Sequence, residues 1–238
     1  MIVRDEGSTF LLITQPDHAR LSADLVGAVQ TEPALRTRAR DTVLLATREH
    51  DNGWAEVDAE PAIDPMGRPR DFMTGPAAIR RELWARGITR VAKMDAHAGA
   101  LVAQHAITVY GYRQGDPEWK PFFTSIFAMR DDLLEQLGLQ TGAPRDAFEL
   151  EYRCVFLGDA LSLQWCNAWP GPEPALDYRG TMEGDTLRVS PDPFGGATVP
   201  IRVLARRIPN RRYQDEADLR ETLAATTPIV VAGEARGV

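Results

Sequence analysis

The alternation of apolar and polar positions divides the chain into a long helical middle flanked by extended segments. Ile2-Val3 and Phe10-Leu11-Leu12-Ile13 bracket a polar turn at Gly7-Ser8, which predicts a short hairpin over residues 1–14. Thr14-Gln15-Pro16-Asp17 then opens a helix, with Pro16 in the first turn, where a missing N–H costs nothing. His18, Leu21 and Leu25 follow at helical spacing, so His18 belongs to the apolar stripe. Val43, Thr47, His50 and Trp54 recur at three- and four-residue steps and predict a second helix from Thr37 to Asp51 or slightly beyond.

Residues 60–76 carry Pro61, Pro65, Gly67, Pro69, Gly75 and Pro76, too many breakers for regular structure. A loop of that length in a compact domain is often a functional lid. Helical patterning returns over Ala77–Ala85 and again over Thr89–Tyr110, where Leu101, Val102, His105 and Val109 form one face. Further helices are predicted over Phe122–Leu137 and Pro144–Ala168, the second with Tyr152, Val155, Phe156, Asp159 and Leu163 along one side. Pro and Gly from Pro170 to Gly196 mark a change of structure. Beyond it, Thr198–Ile208 reads as a strand, Asp215–Ala225 as a short helix and Ile229-Val230-Val231 as a last strand.

These elements predict a mainly α, single-domain protein. Residues 15–168 form the helical core, and residues 1–14 and 185–238 a small β/α annex in which the N-terminal hairpin pairs with the C-terminal strands. Composition fits a globular chain, 44% hydrophobic and 26% charged. A net charge of −7 argues against nucleic acid or an anionic membrane surface as the main partner. Arg206, Arg207, Arg211 and Arg212 flank Pro209-Asn210 and read as a solvated turn. Two cysteines without a CxxC, Cys154 and Cys166, read as core thiols in a reducing compartment. No apolar run reaches the about 20 residues needed to span a bilayer, and the start of the chain lacks a signal-peptide pattern. The expected location is cytoplasmic, with a homodimer possible along the annex edge.

The chemistry lies in the helical stripes. His18, His50, His105 and Asp159 each share a stripe with large apolar side chains, and a carboxylate turned into a core costs several kcal/mol unless paired or ligated. Pairing of Asp159 with an arginine such as Arg153 is the plain alternative. Inward-projecting ligands from facing helices are a known way to build a metal site. His50 and Asp51 are neighbours, which on a helix diverge by about 100°, so both reach one ion only if it lies beside the helix wall. Imidazole with carboxylate suits iron, manganese, zinc or magnesium. His97 and His105, eight residues apart on one helix, are separated by about 12 Å along the axis. His105 is therefore the expected ligand and His97 a rim or surface residue. No Walker A, GxGxxG, GxSxG or HExxH motif competes.

The order His18, His50-Asp51, Asp159 resembles the HD-domain superfamily of metal-dependent phosphohydrolases, all-helical proteins named for that doublet. The wider pattern, Gln15-Pro16-Asp17-His18-Ala19, His50-Asp51-Asn52-Gly53-Trp54 and Asp159-Ala160-Leu161-Ser162-Leu163, is similar to an uncharacterised bacterial domain-of-unknown-function family over nearly the whole chain. The HD resemblance implies one or two divalent ions on His18, His50, Asp51, His105 and Asp159, and hydrolysis of a small anionic phosphoester or nucleotide-like substrate. Asp51 would bridge or orient as well as ligate. In the breaker-rich loop Arg68, or its neighbour Arg70, is the expected substrate cation, Asp58 or Asp64 a proton shuttle, and Trp54 a pocket wall. The alternatives are an HD-like di-iron oxygenase of a small organic substrate and a non-catalytic binding or regulatory module.

Overall fold

The computed structural model describes residues 1–238. The apolar run Phe10–Ile13 shows how its layers meet. It forms strand β2 (Thr9–Ile13), antiparallel to β1 (Ile2–Asp5), with Val3 opposite Leu12. Successive side chains on a strand face opposite ways. Leu11 and Ile13 enter the main core, whereas Phe10 and Leu12 join Met1, Ile208, Tyr213 and Leu219 in a second, smaller one. A strand buried on both faces reads as continuous rather than alternating hydrophobicity.

Between the hairpin and the remaining strands runs the helical stretch: α1 (Gln15–Ala28), α2 (Arg40–Glu49), the single-turn α3 (Ala55–Ala59), α4 (Ala77–Met94), α5 (Ala96–Val109), α6 (Lys120–Leu137) and α7 (Gly142–Asn167). Strands β3 (Glu173–Ala175), β4 (Tyr178–Glu183), β5 (Thr186–Ser190) and β6 (Thr198–Pro209) follow, then helix α8 (Glu216–Ala225) and β7 (Ile229–Gly237). All seven strands join one mixed sheet in the order β1-β2-β6-β7-β5-β4-β3, curled into a half-barrel; only β5 and β7 pair in parallel. In β6, Val199, Ile201, Val203 and Ala205 alternate inward under α1 and the main core.

This sheet corrects the predicted architecture. Helix, with its 3-10 turns, makes up 54% of the chain, and the β component is a full layer, so the protein is neither all-α nor mainly α with a small annex. The all-helical fold implied by the HD resemblance does not describe it. The shortfall came from residues 170–196, where Pro and Gly masked β3, β4 and β5. Those strands are three to six residues long, and turns between short strands need such residues. The hairpin does pair with a C-terminal strand as expected, β2 lying antiparallel to β6 with Phe10 opposite Ile208. The break after Ala85 is absent: α4 continues to Met94, and Asp95 separates it from α5 by capping the Ala98 N–H (2.9 Å).

Helices α2 and α7 pack against each other and against both α1 and α5. Glycines permit the closest approaches. A Cβ on Gly158 would lie 2.6 Å from Val26 Cγ2 and 2.9 Å from the Ser22 carbonyl, so α1 and α7 cross here, one residue before Asp159. A Cβ on Gly53 would sit 2.4 Å from the Leu83 carbonyl, which presses the His50–Trp54 segment against α4. No helix is long and apolar enough to cross a membrane.

Candidate metal centre

Where these helices converge, five side chains meet: His18 from α1, His50 and Asp51 just past the end of α2, His105 from α5 and Asp159 from α7. The doublet sits differently from expectation. α2 ends at Glu49, His50 is its cap, and Asp51 has left helical geometry (φ −107°, ψ 17°). The 100° divergence of helix neighbours therefore no longer applies, and both side chains turn to one point.

Donor atoms of His18, His50 and Asp51 lie within 4.8 Å of one another, as do those of His50, His105 and Asp159. His18 Nε2 is 3.1 Å from Asp51 Oδ2 and 3.5 Å from Asp159 Oδ1. His50 Nε2 is 3.4 Å from each of those same oxygens, and His105 Nε2 is 3.4 Å from Asp159 Oδ2. Around an ion with bonds of about 2.1 Å, neighbouring donors sit about 3.0 Å apart in an octahedron and about 3.4 Å apart in a tetrahedron. Most of the observed spacings are long for hydrogen bonds and suit the edges of a coordination polyhedron.

Proton positions sharpen the point. The carbonyl of Thr47 can only accept, so His50 Nδ1–H donates to it (2.7 Å), leaving Nε2 as a lone pair. Ser162 donates to the Asp159 carbonyl (3.0 Å) and accepts from His18 Nδ1 (2.8 Å), which aims the His18 Nε2 lone pair inward as well. Ser22 Oγ, 2.6 Å from Ser162 Oγ, completes that outer arrangement. His105 has no such support, for its Nδ1 is buried without a partner. Lone pairs and carboxylates thus face one another in a buried site, and His50 Nε2 has no hydrogen-bond partner at all. A cation, either a proton or a metal ion, satisfies that arrangement. The donor set suits a divalent ion, with His50 belonging to both groups of potential ligands.

Without metal, the cation is a proton. Burial opposes the charged His50 imidazolium, but the adjacent Asp51 and Asp159 prevail and hold its pKa well above 6.5. Burial likewise opposes ionisation of both carboxyls, and again the partners prevail. His50 and His18 lower the pKa of Asp51, and His105 and His50 hold Asp159 well below the usual carboxylate range. For the metal-free protein, the His50 contribution to stability is full below pH about 6.5 and lost as pH rises through its folded pKa. The Asp51 and Asp159 contributions are full above pH about 4 and lost as pH falls. A metal must displace the His50 proton. We expect about one proton released per ion bound at pH 7, and affinity rising up to about tenfold per pH unit between pH 6 and 8. Titration calorimetry in buffers of different ionisation enthalpy measures both, and pH-independent binding without proton release would count against this site.

Asp51, His105 and Asp159 also line a cavity of about 320 Å³, at the small end for ligand pockets. Its walls include Trp54, Phe72, Trp84, Tyr110 and Tyr112, with Gln15 and Arg80. The Trp84 ring lies 6.0 Å from that of His105. Burial pushes the Tyr110 hydroxyl up to about 12, so it remains a donor at neutral pH. The family model described as "Protein of unknown function (DUF3891)" matches residues 1–210. The chain belongs to this family. All five ligands and the whole cavity lining fall within the matched stretch, and α8 and β7 fall outside it. The family description names no activity and makes no link to the HD-domain superfamily. No curated protein and no solved structure matches the chain.

The loop residues expected to act in the site are placed elsewhere. Arg68 pairs with Asp5 (2.9 Å) over the Phe10 ring, and Arg70 donates to the Ile63 carbonyl (2.6 Å). Asp58 accepts from the Met1 amino group (2.5 Å) and the Gln15 N–H (2.6 Å), away from the cavity lining beside the cluster. Asp64 accepts from the Met66 and Arg68 N–H groups within its own turn. The pocket cation is Arg80, on the first turn of α4. Arg153 pairs with Asp177, not Asp159. His97 lies outside both groups of the cluster. It meets Glu151 at 2.5 Å, and since 97 to 105 and 151 to 159 are equal steps, this pair repeats His105–Asp159 two turns along the parallel helices α5 and α7. Gln15, Arg80, Trp84, Tyr110 and Tyr112 join the pocket without having stood out as site residues in the sequence. Only Gln15 carried a signal, standing one turn before His18.

Proposed function

We propose that this protein is a metal-dependent hydrolase of a small phosphoester, working in the aromatic pocket beside the His18, His50, Asp51, His105 and Asp159 cluster. The observation that carries the reading is the convergence of five buried side chains, three of which, Asp51, His105 and Asp159, line a cavity that also holds a guanidinium. A divalent ion bound there supplies Lewis acidity, lowering the pKa of a coordinated water and polarising a phosphoryl oxygen.

The chain's own groups supply the rest. Gln15 Oε1, buried and without a partner, is an acceptor on the pocket wall that can orient the attacking water. Arg80 offers positive charge to the non-bridging oxygens. In the reaction the water oxygen bonds to phosphorus and the P–O bond to the organic group breaks. The departing oxygen keeps that electron pair and takes up the proton the water loses. Tyr110, protonated at neutral pH, can donate a hydrogen bond to it.

The test starts with elemental analysis of untagged protein purified without chelator, then reconstitution with manganese, iron, zinc or magnesium and assay against p-nitrophenyl phosphate. About one equivalent of metal and metal-dependent turnover, both lost in Asp159→Ala, are expected. A protein that stays metal-free after reconstitution overturns the reading. Iron with oxygen uptake and no phosphate release would replace it with an oxygenase.

A further inference from the structure

We infer that the pocket takes a single-phosphate ester of a flat aromatic group, and discriminates against polyphosphates. This rests on the phosphoester reading above and narrows it to a substrate class.

Charge sets the first limit. Of the groups lining the pocket, Asp51 and Asp159 are the carboxylates and Arg80 the one guanidinium, with no lysine. A divalent ion offsets the two carboxylates, leaving Arg80 as the remaining formal charge. One organic monophosphate carries about −1.5 to −2 at neutral pH, close to what a single arginine and the ion's open face can meet. Each further phosphate adds negative charge with no second cation in the lining to receive it. Arg80 is itself available: its Nε is buried without a partner, and its Nη1 reaches only the Met73 carbonyl, at 3.5 Å.

Shape and surface set the second limit. Five aromatic rings line about 320 Å³, a space for one small ring system beside a phosphate. Trp84 stands 6.0 Å from the His105 ring and meets Tyr110 edge-to-face at 6.1 Å, while Trp54 meets Phe72 edge-to-face at 6.4 Å. Two crossed aromatic pairs therefore form rigid walls against the ligand cluster, a surface suited to stacking on a planar group. At the mouth, Tyr112 and Met73 are 71% and 49% exposed, so apolar surface continues outward where the organic end of an ester would leave the pocket.

Binding tests this without requiring turnover. Phenylphosphonate, methylphosphonate and pyrophosphate would be titrated into the metal-loaded, full-length protein, followed by calorimetry and tryptophan fluorescence. Phenylphosphonate is expected to bind about tenfold tighter than methylphosphonate and tighter than pyrophosphate. Trp84→Leu should erase the aryl preference while leaving methylphosphonate binding, and Arg80→Gln should weaken both phosphonates about tenfold. Circular dichroism and metal content confirm that each variant is folded and loaded. Equal binding of the two phosphonates, or tightest binding of pyrophosphate, overturns the inference. Hydrolysis of p-nitrophenyl phosphate without aryl preference sinks the inference and keeps the hydrolase. Aryl-selective binding with no hydrolysis in any metal form keeps the ligand class and sinks the hydrolase.

Discussion

His50→Ala is expected to abolish metal binding, from about one equivalent to a background level, with affinity reduced by more than about a thousandfold. Loss of an outer partner of a metal-binding histidine already costs about 10- to 100-fold, and His50 is a direct donor in both groups of the cluster. Without it, each group of the cluster loses one of its three donors, and only His18 still stands near both carboxylates, 3.1 Å from Asp51 and 3.5 Å from Asp159. The variant also leaves Asp51 and Asp159 facing each other with one fewer imidazole to hold a proton between them. The metal-free variant should therefore be less stable than metal-free wild type at neutral pH, and recover part of the difference as pH falls and a carboxyl protonates. His97→Ala is the matched control. Its ring stacks on Phe148 and meets Glu151, so metal content should not change. Elemental analysis of the three proteins, with urea melts of the metal-free forms, provides the readouts. Wild-type metal content in His50→Ala would show that the five side chains are not a metal centre.

The second large effect is structural. Trp165→Ala is expected to destabilise the protein by about 3–5 kcal/mol, measured as a fall in the urea midpoint with little change in slope. Trp165 is 2% exposed, and its indole N–H donates to the Asp185 carbonyl (2.9 Å) in the turn between β4 and β5. A Cβ on Gly233 would come within 2.8 Å of the ring, so the indole lies flush against the β7 backbone. The side chain thus connects the helix that carries Asp159 with the half of the sheet formed by β7, β5 and β4. If helices and sheet form one cooperative unit, helix-sensitive and sheet-sensitive signals should lose stability together. A helical part that unfolds unchanged while the sheet alone melts early would show two independent units.

The two effects mark what was and was not legible in the chain. His18, His50, His105 and Asp159 were legible because each breaks a local rule, a titratable group on an apolar stripe, and a buried charge needs a partner; Asp51 stood out only as the neighbour of His50. Arg80 broke none. An arginine at the start of a helix is ordinary, and its role depends on Trp84 one turn along α4 being joined by Tyr110 from the end of α5 and by Asp51 and Asp159 from the end of α2 and from α7. Arg68, conspicuous in a breaker-rich loop, was captured by Asp5 sixty-three residues earlier. No local pattern reports such a pairing.

The same division holds for the fold. Periodicity determined the helices and the stripe each one buries, because a 3.6-residue repeat is a property of neighbours along the chain. It also determined which side chains need a buried partner, because the cost of burying charge belongs to the residue. Tertiary structure decided how the short strands β3, β4 and β5 join the sheet: they pair with one another as chain neighbours, but so short a meander is marginal alone and is anchored by β5 lying parallel to the distant β7. It decided that His50 Nε2 stands 3.4 Å from both Asp51 and Asp159, because that depends on where α2 ends and on how α7 packs against it. And it decided which arginine faces the pocket, because charges find their partners by distance through the fold, not by position along the chain.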